Sequence, residues 1–157
     1  MNNIVKIVLM SLVTVAVFAQ KKPNVIYIYA DDLGCGGLGS CGQQKIKTPN
    51  LDKIVKEGIK FTQHYAAAPV CAPSRAMLMT GKNSGHSYIR GNYELGGFED
   101  ENEGGQMPLP EGTFTIAKLM KQAGYTTGAI GKWGLGMSNT TGDRSKQGFD
   151  YFEGNVW

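Results

Sequence analysis

No block of like charge runs through this 157-residue chain: sixteen Lys and Arg stand against thirteen Asp and Glu, a formal charge of +3, with the bases spread along the sequence. Nothing marks an electrostatic footprint for nucleic acid or another polyanion. Nor does any apolar run reach the about 20 residues that a membrane span needs. The run Ile7 to Ala19, about thirteen residues behind Lys6, ends in Val17-Phe18-Ala19 and sets small residues at the two positions a signal peptidase inspects. It reads as a secretory signal over residues 1–19, in preference to a membrane anchor or a buried helix, and implies export to a periplasm or the extracellular space. Cysteine is sparse. Cys35, Cys41 and Cys71 follow the signal, and an odd number in an oxidising compartment leaves at least one unpaired. Cys35 and Cys41 could close a small loop, which makes Cys71 the single one. What the chain has in excess is glycine, 22 residues without a collagen period, and hence many tight turns and close backbone approaches. With 41% hydrophobic and 18% charged residues it is ordinary globular material, not a disordered chain or a coiled coil.

Val25 to Ala30 is a continuous apolar and aromatic run of the kind buried on both faces of a parallel sheet, and it ends in Asp31-Asp32. Leu33 to Gly42, with five glycines, predicts a loop too flexible for a regular element, free to fold over whatever those acids hold. A helix follows: Thr48 as N-cap, Pro49 at the first helical position, Leu51, Ile54 and Val55 on one face, and Gly58 as a left-handed residue past the end. Ile59 to Thr62 reads as a strand. The pattern recurs with Thr113 or Thr115 as cap, a stripe of Ile116, Leu119, Met120 and Ala123, a stop at Gly124, and a strand from Tyr125 to Ile130 that ends at Gly131-Lys132. Gly91 to Gly112, polar and rich in Gly and Glu, predicts a surface excursion outside the core. Strands interleaved with helices indicate an α/β domain over residues 20–157, and ligands of open α/β sheets sit beyond the carboxyl ends of the strands. Asp31, Asp32 and Lys132 are therefore expected to converge.

Cys71 to Gly81 reads as a short helix, with Pro73 in its first turn and a glycine at its end. Cys71 then lies at a helix N-terminus, where free N–H groups and the dipole favour an anion, and Arg75 one turn on adds a guanidinium fork suited to a sulfate or phosphate. Taken by itself, Cys71 reads first as a small buried hydrophobe, the commoner fate of a single cysteine.

The string Cys71-Ala72-Pro73-Ser74-Arg75, with Thr80-Gly81 following, matches the C-x-P-S-R maturation signature of the type I sulfatases, and the chain resembles that family over most of its length. Asn24 to Asp32 is similar to the family's first strand and metal-binding acid pair, Lys47 to Phe61 to its Thr-Pro-Asn-Leu-Asp helix, and Leu109 to Gly136 to its Leu-Pro-Glu-Gly and Gly-Lys-Trp region. The resemblance implies an alkaline-phosphatase-like sulfatase fold, a mixed and mostly parallel sheet flanked by helices, present here as its N-terminal part.

It also implies an activity. Cys71 becomes the precursor of a formylglycine whose hydrated aldehyde attacks sulfur. Asp31 and Asp32, with the nucleophile at 71 as third ligand, hold Ca²⁺ or Mg²⁺, since adjacent carboxylates call for a hard cation. Arg75 and Lys132 hold the formylglycine and the sulfate group. The implied partners are a sulfated carbohydrate or aryl sulfate ester and a formylglycine-generating enzyme, with no nucleic acid and no membrane span after signal cleavage. Where many relatives read Gly-Lys-Trp-His, this chain has Gly134. His86 and Arg90, in the loop after the signature, are candidate substrate contacts, while His64 among Phe61 and Tyr65 reads as structural. The family's remaining metal ligands come from sequence past Trp157, so the 157 residues are expected to behave as a fragment with little activity alone. The rival functions are a phosphomonoester or phosphonate ester hydrolase of the same superfold, and an exported inactive anion-binding module in which Cys71 stays a thiol.

Overall fold

The computed structural model describes residues 21–93 and 105–155, so the run read as a secretory signal lies outside the described residues. Three helices and one two-stranded sheet are present among them: α1 (Pro49–Glu57), α2 (Cys71–Thr80), α3 (Ile116–Gln122), β1 (Gly128–Ile130) and β2 (Tyr151–Glu153). The strands are parallel, with Gly128 opposite Tyr151, Ala129 opposite Phe152 and Ile130 opposite Glu153. Beyond the strand ends, Gly131 N–H donates to the Glu153 carbonyl at 2.8 Å and Trp133 N–H to that of Asn155 at 2.9 Å. The expected parallel α/β arrangement is therefore present in miniature.

The core gathers around α2 and the segment after β1. Ala72, Ala76, Ile89, Leu109, Trp133 and Leu135 are buried together, and Met79, Met107, Phe149 and Phe152 pack against them. Trp133 is the hub: Phe149 and Phe152 meet its ring edge-to-face at 5.8 and 6.4 Å, and its indole N–H donates to the Gly142 carbonyl at 2.9 Å. Aromatic edge-to-face pairs add to simple area burial, and a buried indole N–H needs such an acceptor. Phe149, just before β2, and Phe152, within it, thus find their packing partner within the chain.

α2 ends as its sequence predicts, at Gly81 with φ 67° and a backbone bond to the Met77 carbonyl. α3 is capped by Thr115 rather than Thr113; the Thr115 hydroxyl oxygen accepts from Lys118 N–H at 3.3 Å and donates to the Gln147 carbonyl at 2.6 Å. Cys35 and Cys41 are joined in a disulfide, and Cys71 is free.

Several expectations are corrected. Val25 to Ala30 is not part of the sheet; Val25, Ile26, Tyr27 and Ile28 are each more than 60% exposed, because no described strand lies beside the run to pair with it or cover it. Ile59 to Thr62 forms no strand either, and Tyr125 to Ile130 pairs over its last three residues only, the part that β2 reaches. The glycine-rich loop contains two single 3₁₀ turns, Cys35–Gly37 and Gly39–Cys41, tied by the disulfide, the second of them packed on α1. Thr48 does not cap α1 with its side chain. Its hydroxyl accepts from Gly39 N–H at 2.8 Å and donates to the Asp52 carboxylate, which also accepts from Ser40 N–H at 2.6 Å. Gly58, at φ −115°, is not left-handed.

On α3 the stripe led by Ile116 and Leu119 is exposed, and Ala117 on the other side is the buried residue, because the chain from Gln147 to Phe149 packs there. The segment Gly91 to Gly112, whose residues 94–104 lie outside those described, is not merely a surface excursion. Met107 and Leu109 enter the core, and Leu109 N–H donates to the Leu135 carbonyl at 3.0 Å. Two apolar side chains outweigh the polar composition around them.

Candidate active site

Tyr29 carries the end of the first apolar run onto α2. Its phenol meets the Ser74 hydroxyl at 2.5 Å, and its ring lies 5.7 Å from the Arg75 guanidinium. A tyrosine in an apolar run offers this pairing of a greasy body with a polar tip. Asp31, two residues on, is thereby brought to Arg75, whose Nη2 lies 3.2 Å from Asp31 Oδ2. Arg75 Nη1 donates to the Lys132 carbonyl at 2.5 Å, so one guanidinium joins three separate parts of the chain. Its side chain is 13% exposed, and its Nε is buried without a hydrogen-bond partner. The planar fork suits this bridging, which a lysine could not reproduce.

Lys132, just past β1, turns its ammonium toward the same place. Nζ lies 4.0 Å from Asp31 Oδ2 and donates to Cys71 Sγ at 3.5 Å. Cys71 is half-buried at the first position of α2. The residue before it, Val70, has no side-chain cap to offer, and the Ala72 N–H is instead taken by Asn92 Oδ1 at 3.1 Å. The same oxygen lies 3.6 Å from Cys71 Sγ. Two cations sharing one carboxylate and a nucleophile-sized side chain at their meeting point, beside the positive end of α2, make a seat for a small anion.

Of the residues expected to act together, Cys71, Arg75, Lys132 and Asp31 are assembled by the fold. Asp32 is exposed and adopts a left-handed conformation, φ 55°. His86 and Arg90 line a separate open cleft of about 650 Å³ that also takes in Lys82, Tyr88 and Glu111. His86 Nδ1 rests 3.0 Å from Asn83 Oδ1 within its own loop. His64 is exposed, its ring 6.2 Å from that of Phe61. Sequence reasoning missed Asn92 and Tyr29. The phenol at 29 was visible as a polar tip in an apolar run, whereas Asn92 sits in the stretch that composition marked as a surface excursion.

A divalent cation can be tested against these residues. Asp31 and Asp32 are donors of the right type for a hard ion, which takes six to eight oxygen ligands. Among the described residues, however, no group of three or more His, Cys, Asp or Glu side chains is placed to hold a metal, and Asp31 is occupied by Arg75 and Lys132. The described residues thus supply part of a donor set in type and fall short in number.

Comparison with known proteins decides the family: the model described as Sulfatase matches residues 23–156. The chain belongs to the sulfatase family. This sulfatase chain is 44% identical over 139 residues to arylsulfatase D of Homo sapiens, an alignment that covers 85% of the chain and 23% of that relative. Among solved structures it is similar to Ps i-CgsB in complex with k-i-k-neocarrahexaose, with a TM-score of 0.71, 38% identity and coverage of 85% of the chain and 28% of the other. It is similar also to BT4656 in complex with its substrate D-glucosamine-2-N,6-O-disulfate, with a TM-score of 0.62, 33% identity and coverage of 84% and 23%. The sulfatase chain therefore spans about a quarter of the length of the relatives it matches, and it corresponds to their N-terminal portion. Among the described residues no helix is long and apolar enough to cross a membrane.

Proposed function

We propose that this chain carries the nucleophile of an exported sulfuric ester hydrolase that acts on sulfated carbohydrates or aryl sulfates. The observation that carries the reading is the seating of Cys71 at the start of α2 with Lys132 Nζ 3.5 Å from its sulfur and the Arg75–Asp31 pair behind it. Cysteine is oxidised by a partner enzyme to formylglycine, and the aldehyde takes up water to give two hydroxyls on one carbon. One hydroxyl attacks sulfur; the bond from sulfur to the substrate's bridging oxygen breaks and the alcohol leaves with a proton. The second hydroxyl then gives up its proton, the carbonyl re-forms, and the carbon–oxygen bond to sulfate breaks, so that no water need attack sulfur.

Lys132 is placed to stabilise charge on the anion and the nucleophile, and Arg75 fixes Lys132 and Asp31 in position. A hard divalent cation, when bound, supplies further neutralisation of the sulfate oxygens. Asp31 and Asp32, with the nucleophile at 71, would hold it in this chain, completed by groups from elsewhere in the whole protein. The cleft with His86, Arg90 and Lys82 is the place for the rest of an anionic sugar, in keeping with the carbohydrates bound to the two solved relatives.

The test is the intact mass of the chain produced together with a formylglycine-generating enzyme. A loss of about 18 daltons, the exchange of sulfur and two hydrogens for one oxygen, is expected in the dehydrated form, and a retained thiol would make the chain an anion-binding module instead. Turnover of aryl sulfate against aryl phosphate by the complete protein separates sulfatase from phosphatase activity. The 157-residue chain is expected to show little of either.

A further inference from the structure

Asn92 lies outside every motif of the chain, yet its side-chain oxygen holds both the first turn of α2 and the side chain at position 71. The atom facing α2 must be the oxygen and not the amide nitrogen, because the backbone N–H of Ala72 at 3.1 Å can only donate. That oxygen is also the acceptor 3.6 Å from Cys71 Sγ, while Lys132 Nζ approaches the sulfur as a donor. Residue 71 is thus held between one donor and one acceptor. A carbonyl at that position can use the donor but has no hydrogen for the acceptor, and its oxygen would meet the Asn92 oxygen as a second acceptor. A carbon bearing two hydroxyls satisfies both at once.

Resting on the formylglycine reading above, we infer that Asn92 is a positioning residue that shifts residue 71 from aldehyde to hydrate, the form competent to attack. The step adds one water across the C=O bond: the water oxygen bonds to carbon, one hydrogen goes to the former carbonyl oxygen, and the hydroxyl so placed donates to Asn92 Oδ1. No oxidant or reductant enters.

The experiment uses the 157-residue chain, produced with a formylglycine-generating enzyme and labelled with ¹³C at the cysteine β-carbon. The hydrate and aldehyde carbons of residue 71 are well separated from each other and from the disulfide carbons of Cys35 and Cys41 in the NMR spectrum. Intact mass is read first; an unconverted thiol in the unsubstituted chain overturns the formylglycine reading and this inference with it. In converted protein, Asn92→Ala is expected to lower the hydrate-to-aldehyde ratio about fivefold, the worth of one hydrogen bond. Asn92→Asp, which keeps the acceptor, should hold the ratio at or above that of the unsubstituted chain. Equal ratios in all three proteins overturn the inference while leaving the formylglycine reading intact. Should Asn92→Ala not fold, Asn92→Asp still decides, since a fivefold fall there overturns the inference.

Discussion

Arg75 and Asp31 form a 3.2 Å ion pair that fastens the end of the first apolar run to α2, and the same guanidinium holds the backbone carbonyl of Lys132. The pair is asymmetric, with Arg75 13% exposed and Asp31 45% exposed. Removing the arginine therefore matters more than removing the acid. Arg75→Ala leaves the Lys132 carbonyl without its partner and Tyr29 without its cation, and should cost about 2–3 kcal/mol. Asp31→Asn, on the wetter side, should cost about 1 kcal/mol or less because water screens the half-exposed carboxylate. Urea unfolding curves of the two variants check the order, and equal costs would contradict it.

Trp133 sets the packing between α2 and β2. Trp133→Ala removes both edge-to-face partners and the indole bond to Gly142, and is expected to destabilise the chain by about 3–5 kcal/mol, the range for truncating a buried aromatic. For so small a core that loss should abolish the cooperative transition in thermal melts followed by near-ultraviolet circular dichroism.

Gly134, which follows Gly131-Lys132-Trp133, has a backbone conformation that disfavours any side chain. Its φ is 73°, and a β-carbon would fall 3.2 Å from Gln106 Oε1 and 3.6 Å from Arg75 Cδ. Gly134→His and Gly134→Ala should each cost about 1–2 kcal/mol from the left-handed backbone alone. Neither is expected to raise turnover of an aryl sulfate by the complete protein. Thermal shift and an activity assay together check this, and a more active histidine variant would show that the segment re-forms around the new side chain.

Acid should loosen the β1–β2 end first. The Asp150 carboxyl is held down to about 2, chiefly by the Lys121 ammonium and then by the Thr127 N–H and hydroxyl. An unfolded aspartate titrates near 3.9. The folded value lies below the unfolded one, so the stabilisation is fully present above about pH 4 and fades as pH falls toward about 2. Asp150→Asn should flatten the pH dependence of the urea midpoint between about pH 4 and pH 2; an unchanged slope would assign that dependence to other groups.

Much of the local structure was legible because short-range chemistry dictates it. Gly81 closes α2, Thr115 opens α3, Pro49 starts α1, and the Cys35–Cys41 spacing allows the bridge that forms. The misreadings share one cause. Val25 to Ala30 and Ile59 to Thr62 have strand-like composition, but a strand exists only where another strand offers its edge, and composition says nothing about that neighbour. Thr48 has the residue type of a cap and spends its hydroxyl on Asp52 within α1 and on Gly39, a partner that only the folded glycine-rich turn supplies.

The sequence by itself determined the family, since C-x-P-S-R and its flanking motifs are linear patterns that lie within the residues matched by family comparison. Only the tertiary structure decided which side chains meet there. It brought Lys132 and Asn92 to Cys71, turned Arg75 onto Asp31, and set His86 and Arg90 in a separate cleft. Contacts between residues tens of positions apart depend on how the core packs around Trp133 and Ile89, which no local propensity encodes.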